Sequence, residues 1–405
     1  MNGTLTQIAQ DLKDAAGKKD KPKKVQLIYA FNGAGKTRLS GEFKRLIAPK
    51  DDGTNSSGLP RDRILYYNAF TEDLFYWDND LAADISPKLK IQPNSFTDWV
   101  LQEQGQDRNI IATFQRYVND KLTPRFNAQY EQVDSSGNAF TVRAFSEVAF
   151  ALETGDDGHS EDLKISKGEE SIFIWSVFYA LVDQVIEVLN VPEPADRETD
   201  VFNKLEFVFI DDPVSSLDEN HLIQLAVDIA HLIKRNTSSV RFIITTHNPL
   251  FFNVLFNELS SNEKTDEYKW QSDWFRKLRL EKCDDGTHNL IEQPNDSPFS
   301  YHLHLISLLE EVIRSGQIEK YHFNLLRNVL EKAATFLGYK RWEHLLPETG
   351  DGLPNPYARR IVNFSSHSKH AAEEVTPLKP EEKRLLENLV RHVVTNHRFR
   401  QESTP

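Results

Sequence analysis

Apolar and polar positions fall into blocks along this chain. Four apolar runs have strand length and predict buried strands: Val25-Gln26-Leu27-Ile28-Tyr29, Ile64-Leu65-Tyr66-Tyr67, Phe207-Val208-Phe209-Ile210 and Phe242-Ile243-Ile244-Thr245. A long apolar helix is predicted from Ser171 to about Leu189, and an amphipathic one near 219–234. Helical spacing also runs through a polar stretch at roughly 95–122, and residues 1–22 read as a short helix with a loose lead-in. Gly-, Pro- and Asp-rich breaks lie at 50–63, 154–162 and 190–204. Strands alternating with helices predict an α/β fold with a parallel sheet. After about 265 strand signals thin out, and helical periods dominate at 303–314, 321–337 and 380–396. The expected organisation is an α/β domain over 1–265 and a mainly helical domain over 266–405, with no internal repeat.

Composition narrows this picture. The chain has 405 residues, 39% hydrophobic and 27% charged, as in a soluble globular protein. Its formal charge of −13 gives no global basic footprint for nucleic acid, but the charge is uneven. Residues 1–265 hold 28 Lys and Arg against 40 Asp and Glu, net −12; residues 266–405 hold 20 against 21, net −1, and nine of the 13 histidines. A nucleic-acid contact is therefore expected as a local patch in the second part. Cys283 is the only cysteine, which excludes internal disulfides and Cys-rich zinc sites. No secretory core and no apolar run of transmembrane length is evident, so a cytoplasmic protein without a membrane partner is expected.

The chemistry begins at Ala30-Phe31-Asn32-Gly33-Ala34-Gly35-Lys36-Thr37, directly after the first predicted strand. A Gly-rich loop between a strand and a helix turns several backbone N–H groups toward a phosphate chain. Asn32, Gly33, Ala34, Gly35, Lys36 and Thr37 are its candidate nucleotide-binding residues, with Lys36 reaching the β- and γ-phosphates and Thr37 a Mg²⁺ ligand. Ala30 stands where the motif has its first glycine. The run Val208-Phe209-Ile210-Asp211-Asp212 ends an apolar strand in two carboxylates: Asp211 can hold Mg²⁺, and Asp212 sits where a general base would polarise water. Asp218 follows in Pro213-Val214-Ser215-Ser216-Leu217-Asp218, and His247 ends the strand Phe242–Thr246. Upstream, Ser166-Lys167-Gly168-Glu169-Glu170 precedes the long helix, where Ser166 and the backbone can cap a phosphate.

These four segments, in this order, resemble the ATPase head of ABC and SMC/Rad50-like proteins: P-loop, signature motif, Walker B with D-loop, and H-loop histidine. The resemblance implies that ATP or GTP with Mg²⁺ lies between two heads. Ser166, Lys167, Gly168 and Glu169 of one copy would then close on the P-loop of another, with Asp218 beside them. A homodimer or higher homo-oligomer would be part of the active site. Asp212 occupies a place where many such heads have Glu, and its shorter side chain retracts the base by one methylene.

A second constellation lies in the helical part. Arg327 and Glu331 stand at i, i+4 in a segment whose apolar residues Phe323, Leu326, Leu330 and Ala334 give a helical period. Alone, this is an ordinary surface ion pair worth a few tenths of a kcal/mol. Downstream comes Arg359-Arg360-Ile361-Val362-Asn363-Phe364-Ser365-Ser366-His367-Ser368, with His370 a close rival to His367. A histidine, a carboxylate and an arginine are the parts needed for metal-free RNA cleavage: His and Glu can share the proton transfers and Arg can stabilise charge on phosphorus.

Long runs extend this to a specific family. Tyr66-Tyr67-Asn68-Ala69-Phe70-Thr71-Glu72-Asp73-Leu74-Phe75-Tyr76-Trp77, Ile210–Asp218, Leu325-Leu326-Arg327-Asn328, Phe336-Leu337-Gly338-Tyr339 and Asn363–Ser368 closely resemble the PrrC-type anticodon nucleases over nearly the whole chain. The resemblance implies an ABC-like NTPase controlling a ribonuclease that cuts a tRNA, usually a lysine tRNA, 5′ of the wobble position. It places the nuclease triad on Arg327, Glu331 and His367, and links Asp285, in Leu280–Thr287, to reading of the wobble base. It implies a type I DNA restriction-modification enzyme as the partner that keeps the nuclease silent until phage disables it. A pyrimidine nucleotide is an implied stabilising ligand. At Asp284-Asp285-Gly286 a plain turn is the alternative reading, and Lys282 and Cys283 depart from the family version. The competing function is a head-type ATPase that senses DNA damage or DNA ends without its own chemistry; a third is a regulatory switch whose nuclease lies elsewhere.

Overall fold

The computed structural model describes residues 1–18, 21–49, 63–68, 74–78, 87–92, 95–133, 137–152, 163–213, 217, 219–283, 285–294, 301–348, 356 and 378–396. The chain forms two compact units, Met1–Pro298 and Phe299–Pro405.

In the first unit the described strands are β1 (Asn2–Gly3), β2 (Val25–Ala30), β3 (Ile64–Tyr67), β4 (Phe75–Asp78), β5 (Lys88–Ile91), β6 (Leu122–Phe126), β7 (Tyr130–Val133), β8 (Ala139–Val142) and β9 (Glu147–Leu152). They continue with β10 (Phe207–Asp211), β11 (Arg241–Thr246), β12 (Glu263–Lys264), β13 (Lys269–Trp270), β14 (Phe275–Lys282) and β15 (His288–Glu292). Its principal helices are α1 (Leu5–Gly17), α2 (Lys36–Ile47), α3 (Asp107–Tyr117), α4 (Lys167–Asn190), α5 (Glu219–Arg235) and α6 (Pro249–Leu259).

Seven strands form the main sheet in the order β1-β15-β14-β2-β11-β10-β3. The five strands β14, β2, β11, β10 and β3 are parallel, and β15 and β1 close one edge antiparallel. Every residue of β2 and β10 is buried, as a sheet covered on both faces requires. The pleat divides their side chains. Ile28, Ala30, Phe207 and Phe209 join α1 and α2 in one cluster with Leu12, Leu39, Phe43 and Ile243. On the other face Tyr29 meets Phe252 of α6, and Tyr67 meets Trp175 and Phe178 of α4. Helix α4 is long and apolar enough to cross a membrane by composition, but most of it is buried in this core.

A second, antiparallel sheet of order β4-β5-β9-β6 accompanies the hairpin β7–β8. An aromatic cluster of Phe75, Phe114, Phe150 and Phe173 joins it to α3 and α4. The polar stretch expected to be helical over 95–122 is helical in part: a short helix at Ser95–Asp98, a π-turn at Trp99–Glu103 and α3, before β6 begins.

The chain divides later than the expected 265. Strands β14 and β15 lie beyond that point, yet β14 pairs with the P-loop strand β2 from Phe275↔Val25 to Leu280↔Ala30. The physical reason is composition: Phe275, Leu278 and Leu280 are buried, but the half-buried Arg276, Lys277 and Arg279 stand between them, so β14 lacks the continuous apolar run of the central strands.

In the second unit α7 (Tyr301–Ser315), α8 (Tyr321–Phe336), a 3₁₀ turn at Trp342–Leu345 and α9 (Pro380–Asn396) share one core. Phe323, Leu326, Val329 and Leu330 of α8 pack with Leu305, Ile306, Leu309, Leu345, Leu386, Leu389 and Val390.

Candidate functional site

The parallel strands point their C-terminal ends the same way, and the register aligns them: Asp211 lies beside Thr245, and Thr246 beside Tyr29. The P-loop, Asp211, Asp212 and His247 therefore converge at one sheet edge. Ala30 is the last residue of β2, buried and paired with Leu280, so the first-glycine position has ordinary extended backbone and needs no glycine. Gly33 and Gly35 do need theirs, with φ of 82° and 98°. Gly35 is the N-cap of α2 and no side chain caps that helix, which leaves its first N–H groups directed at the loop.

Lys36 is only 7% exposed. Its Nζ donates to the Ala30 carbonyl (3.2 Å), the Phe31 carbonyl (3.3 Å) and Asn32 Oδ1 (3.1 Å), and lies 3.5 Å from Asp212 Oδ2. Asp212 has a left-handed backbone, φ 54°, which Asp tolerates better than most residues. That turn aims its carboxylate at both Lys36 and His247, whose Nδ1 is 2.6 Å from Oδ2 and whose backbone N–H donates to Oδ1 at 3.2 Å. Burial pushes the Asp212 carboxyl up, but the His247 hydrogen bonds and the Lys36 charge outweigh it and hold the group below its ordinary value. Asp211 behaves oppositely. Burial raises it, opposed by hydrogen bonds from Thr245 and Thr37, with the Asp212 charge adding to the rise. The two adjacent carboxylates thus have environments that separate their acidities.

This donor set fits a nucleotide with Mg²⁺. Thr37 and Asp211 are already in contact through their side chains, an alcohol and a carboxylate suited to a hard cation. A Cβ at Gly33 would meet nothing within 4 Å, so the loop backbone is open there to a close-approaching phosphate. Bound Mg²⁺ and nucleotide would supply charge neutralisation at the phosphates. Lys36 and the loop N–H groups would bind them, and Asp212 could take a proton from water with His247 orienting it.

The segment Ser166–Glu170 is organised by its own capping. Ser166 is the N-cap of α4; its hydroxyl accepts from the Glu169 N–H at 3.3 Å, and Glu169 accepts from the Ser166 N–H at 2.7 Å. Lys167 pairs with Glu170 at 2.6 Å, and Trp77 donates to Glu170 at 2.9 Å. Gly168 lies in the first turn of α4. Asp218 lies outside the described residues.

His288 was not singled out by sequence. It is 3% exposed on β15, and a Cβ on Gly35 would lie 3.1 Å from its Nε2. Burial, with Arg38 and Lys282 nearby, lowers its pKa. One residue before it the β14–β15 turn closes through Cys283 N–H to the Thr287 carbonyl at 2.9 Å. Asp285 is at the exposed tip, where it accepts from the Thr287 N–H (2.9 Å) and hydroxyl (2.6 Å), bonds that lower its pKa. The turn anticipated there is thus present.

In the second unit, Arg327 Nε donates to Glu331 Oε1 at 2.7 Å on α8. The Arg327 guanidinium also lies 5.7 Å from the centre of the Trp342 ring. His367 and its rival His370 lie outside the described residues.

Strand order, P-loop and strand-end carboxylates define a P-loop NTPase of α/β class, joined to a helical unit. Residues 153–392, more than half the chain, match the family model described as an AAA domain. Over 99% of its length, and 99% of the relative's, the chain is 49% identical to an anticodon nuclease of Escherichia coli; it belongs to the anticodon nuclease family. Solved SMC heads show partial likeness. A head bound to the C-winged helix domain of ScpA is 10% identical, covering 67% of this chain and 91% of that one, with a TM-score of 0.32. The SMC head domain from Thermotoga maritima is 12% identical with the same coverage and a TM-score of 0.27.

Two outcomes follow from this geometry. Lys36→Ala removes the only motif cation of the loop and is expected to abolish nucleotide binding in a folded protein, read by direct titration. Asp212→Asn is expected to retain nucleotide binding but lose hydrolysis. The Asp212 carboxyl titrates below its ordinary range when folded, so its stabilisation is present above that range and lost as pH falls through the depressed value. The Tm difference between parent and Asp212→Asn is therefore expected to shrink on acidification from about pH 7 to about pH 3.

Proposed function

We propose that this anticodon nuclease cuts a lysine tRNA 5′ of its wobble base, without metal, under control of its NTPase unit. The observation that carries the reading is the Arg327–Glu331 pair on α8, in a chain 49% identical to an anticodon nuclease. In this reading the 2′-oxygen attacks phosphorus and gives its proton to one of Glu331 and His367. The other protonates the departing 5′-oxygen. The P–O5′ bond breaks as the new P–O2′ bond forms, leaving a 2′,3′-cyclic phosphate and a 5′-OH. Arg327 stabilises the added negative charge on the phosphoryl oxygens.

The control arm uses ATP or GTP with Mg²⁺, and a pyrimidine nucleotide as a stabilising ligand. Ser166, Lys167, Gly168, Glu169 and Asp218 act across a homodimer or higher homo-oligomer. The capping box at Ser166 supports a rigid signature helix that could be presented to a second copy. Asp285, exposed at its turn, reads the wobble base. The protein acts in the cytoplasm as an antiphage effector held silent by a type I DNA restriction-modification enzyme.

His367→Ala, Arg327→Ala and Glu331→Ala are each expected to lower tRNA cleavage by about 10²- to 10⁴-fold while NTP hydrolysis persists. The losses should be non-additive, as for groups acting together. His370→Ala should cleave at the parental rate, and the products of the parent should carry cyclic phosphate ends. Cleavage by His367→Ala as fast as the parent would sink the triad. A mixture of Lys36→Ala protein with a Ser166→Ala, Gly168→Ala variant is expected to recover NTP hydrolysis through one intact composite site. No recovery, together with a strict monomer in sedimentation with nucleotide, would remove the trans arrangement.

A further inference from the structure

The C-terminal end of α8 exposes more aromatic surface than a helix end needs. Phe336 is 90% exposed, and Leu337 and Tyr339 are each 47% exposed. The sequence pattern explains why they are outside. Phe336 follows the buried Val329 by seven residues and the buried Ala333 by three, so it continues the buried side of α8 past the end of the core. The backbone there is fixed. The Tyr339 N–H bonds the Ala334 carbonyl at 2.8 Å and the Gly338 N–H bonds that of Thr335 at 3.3 Å, with Gly338 at φ 77°. This is a Schellman ending, so the aromatic groups stand on a defined turn rather than a loose one.

Cations flank this turn in sequence. Lys332, Lys340 and Arg341 are all exposed, and between 332 and 344 the only acidic residue is Glu343, buried and paired with Arg341 at 3.1 Å. That balance is positive in a chain whose formal charge is −13. The segment after this turn reaches back to the Arg327–Glu331 pair. Tyr339 stacks near His344, with ring centres 6.4 Å apart and planes at 20°, and Trp342 two residues earlier meets the Arg327 guanidinium. Along the helix Phe336 lies about 7.5 Å beyond Glu331 at ~1.5 Å per residue, and about 140° round the axis from it.

We infer that Phe336 and Tyr339 form a stacking platform for unpaired bases of the RNA loop, with Lys332, Lys340 and Arg341 tracking its phosphates. This rests on the anticodon-nuclease reading and deepens it. Single-stranded loops offer splayed bases whose faces stack on aromatic rings, while basic side chains follow the backbone. A platform of this kind holds the strand whatever the base, so it would orient the loop without reading its identity.

The test is single-turnover cleavage of tRNA by full-length protein in excess, with the half-saturating enzyme concentration separated from the rate at saturation. Phe336→Ala and Tyr339→Ala are each expected to raise half-saturation about 5- to 150-fold, the range of one base–aromatic stack. Rate at saturation should stay within about threefold, and NTP hydrolysis should be unchanged. Phe336→Trp should restore half-saturation, which a role in folding alone would not predict. If the parent cuts tRNA and both alanine variants match it in half-saturation, the platform is overturned while the nuclease reading stands. A variant that changes the oligomeric state in sedimentation but not half-saturation makes this a protein interface and equally overturns it. A parent that cuts no tRNA overturns both readings.

Discussion

The nucleotide site depends on one buried cation. Lys36 lies almost wholly inside the protein, and four oxygens from Ala30, Phe31, Asn32 and Asp212 surround it. An isolated ammonium in such a place would be costly, so its surroundings must supply oxygen. Much of the local architecture follows from that demand. The end of β2 turns its carbonyls toward Nζ, and the left-handed backbone at Asp212 brings a carboxylate within reach. His247 then completes the Asp212 environment, so strand ends β2, β10 and β11 are tied through three side chains. A phosphate arriving at this loop would compete for the same ammonium. Nucleotide binding and the arrangement of Asp212 are in this way linked by shared partners.

The two units present different problems of legibility. In the first, chemistry is written in short local runs: a loop after a strand, two carboxylates at a strand end, a histidine at another. Such features need only a few adjacent residues, and the structure brings the P-loop, Asp211, Asp212 and His247 to one edge as the parallel order requires. What sequence could not supply was long-range pairing. Strand β14 breaks its apolar residues with charged ones and lies where composition turns helical, yet it is the direct neighbour of β2. His288 beneath Gly35 was equally hidden, because nothing near 288 in sequence announces a P-loop contact. The antiparallel sheet over 75–152 is made of short strands separated by long polar segments, and its aromatic cluster with α4 appears only in space.

In the second unit the helical periods were plain, because each helix needs its own apolar stripe to enter the shared core. The Arg327–Glu331 contact was also legible from spacing, since i, i+4 side chains meet on any helix. Its interaction with Trp342 was not, and it matters more. It ties the arginine to the turn that carries Tyr339 and Arg341, so the charge proposed to act on phosphorus is embedded in an aromatic and basic surface. An ion pair worth a few tenths of a kcal/mol does little for stability. Its value here lies in orientation, holding a guanidinium and a carboxylate in fixed relation on one helix face.

The central claim is that this chain is a nuclease acting on one loop of one RNA class. The most direct measurement is to express the chain in cells and map every new RNA 5′-OH end by sequencing. The account predicts new ends concentrated in the anticodon loop of a lysine tRNA, immediately 5′ of the wobble base. New ends scattered through RNA, or none in any tRNA anticodon loop while the protein is folded and abundant, would contradict it.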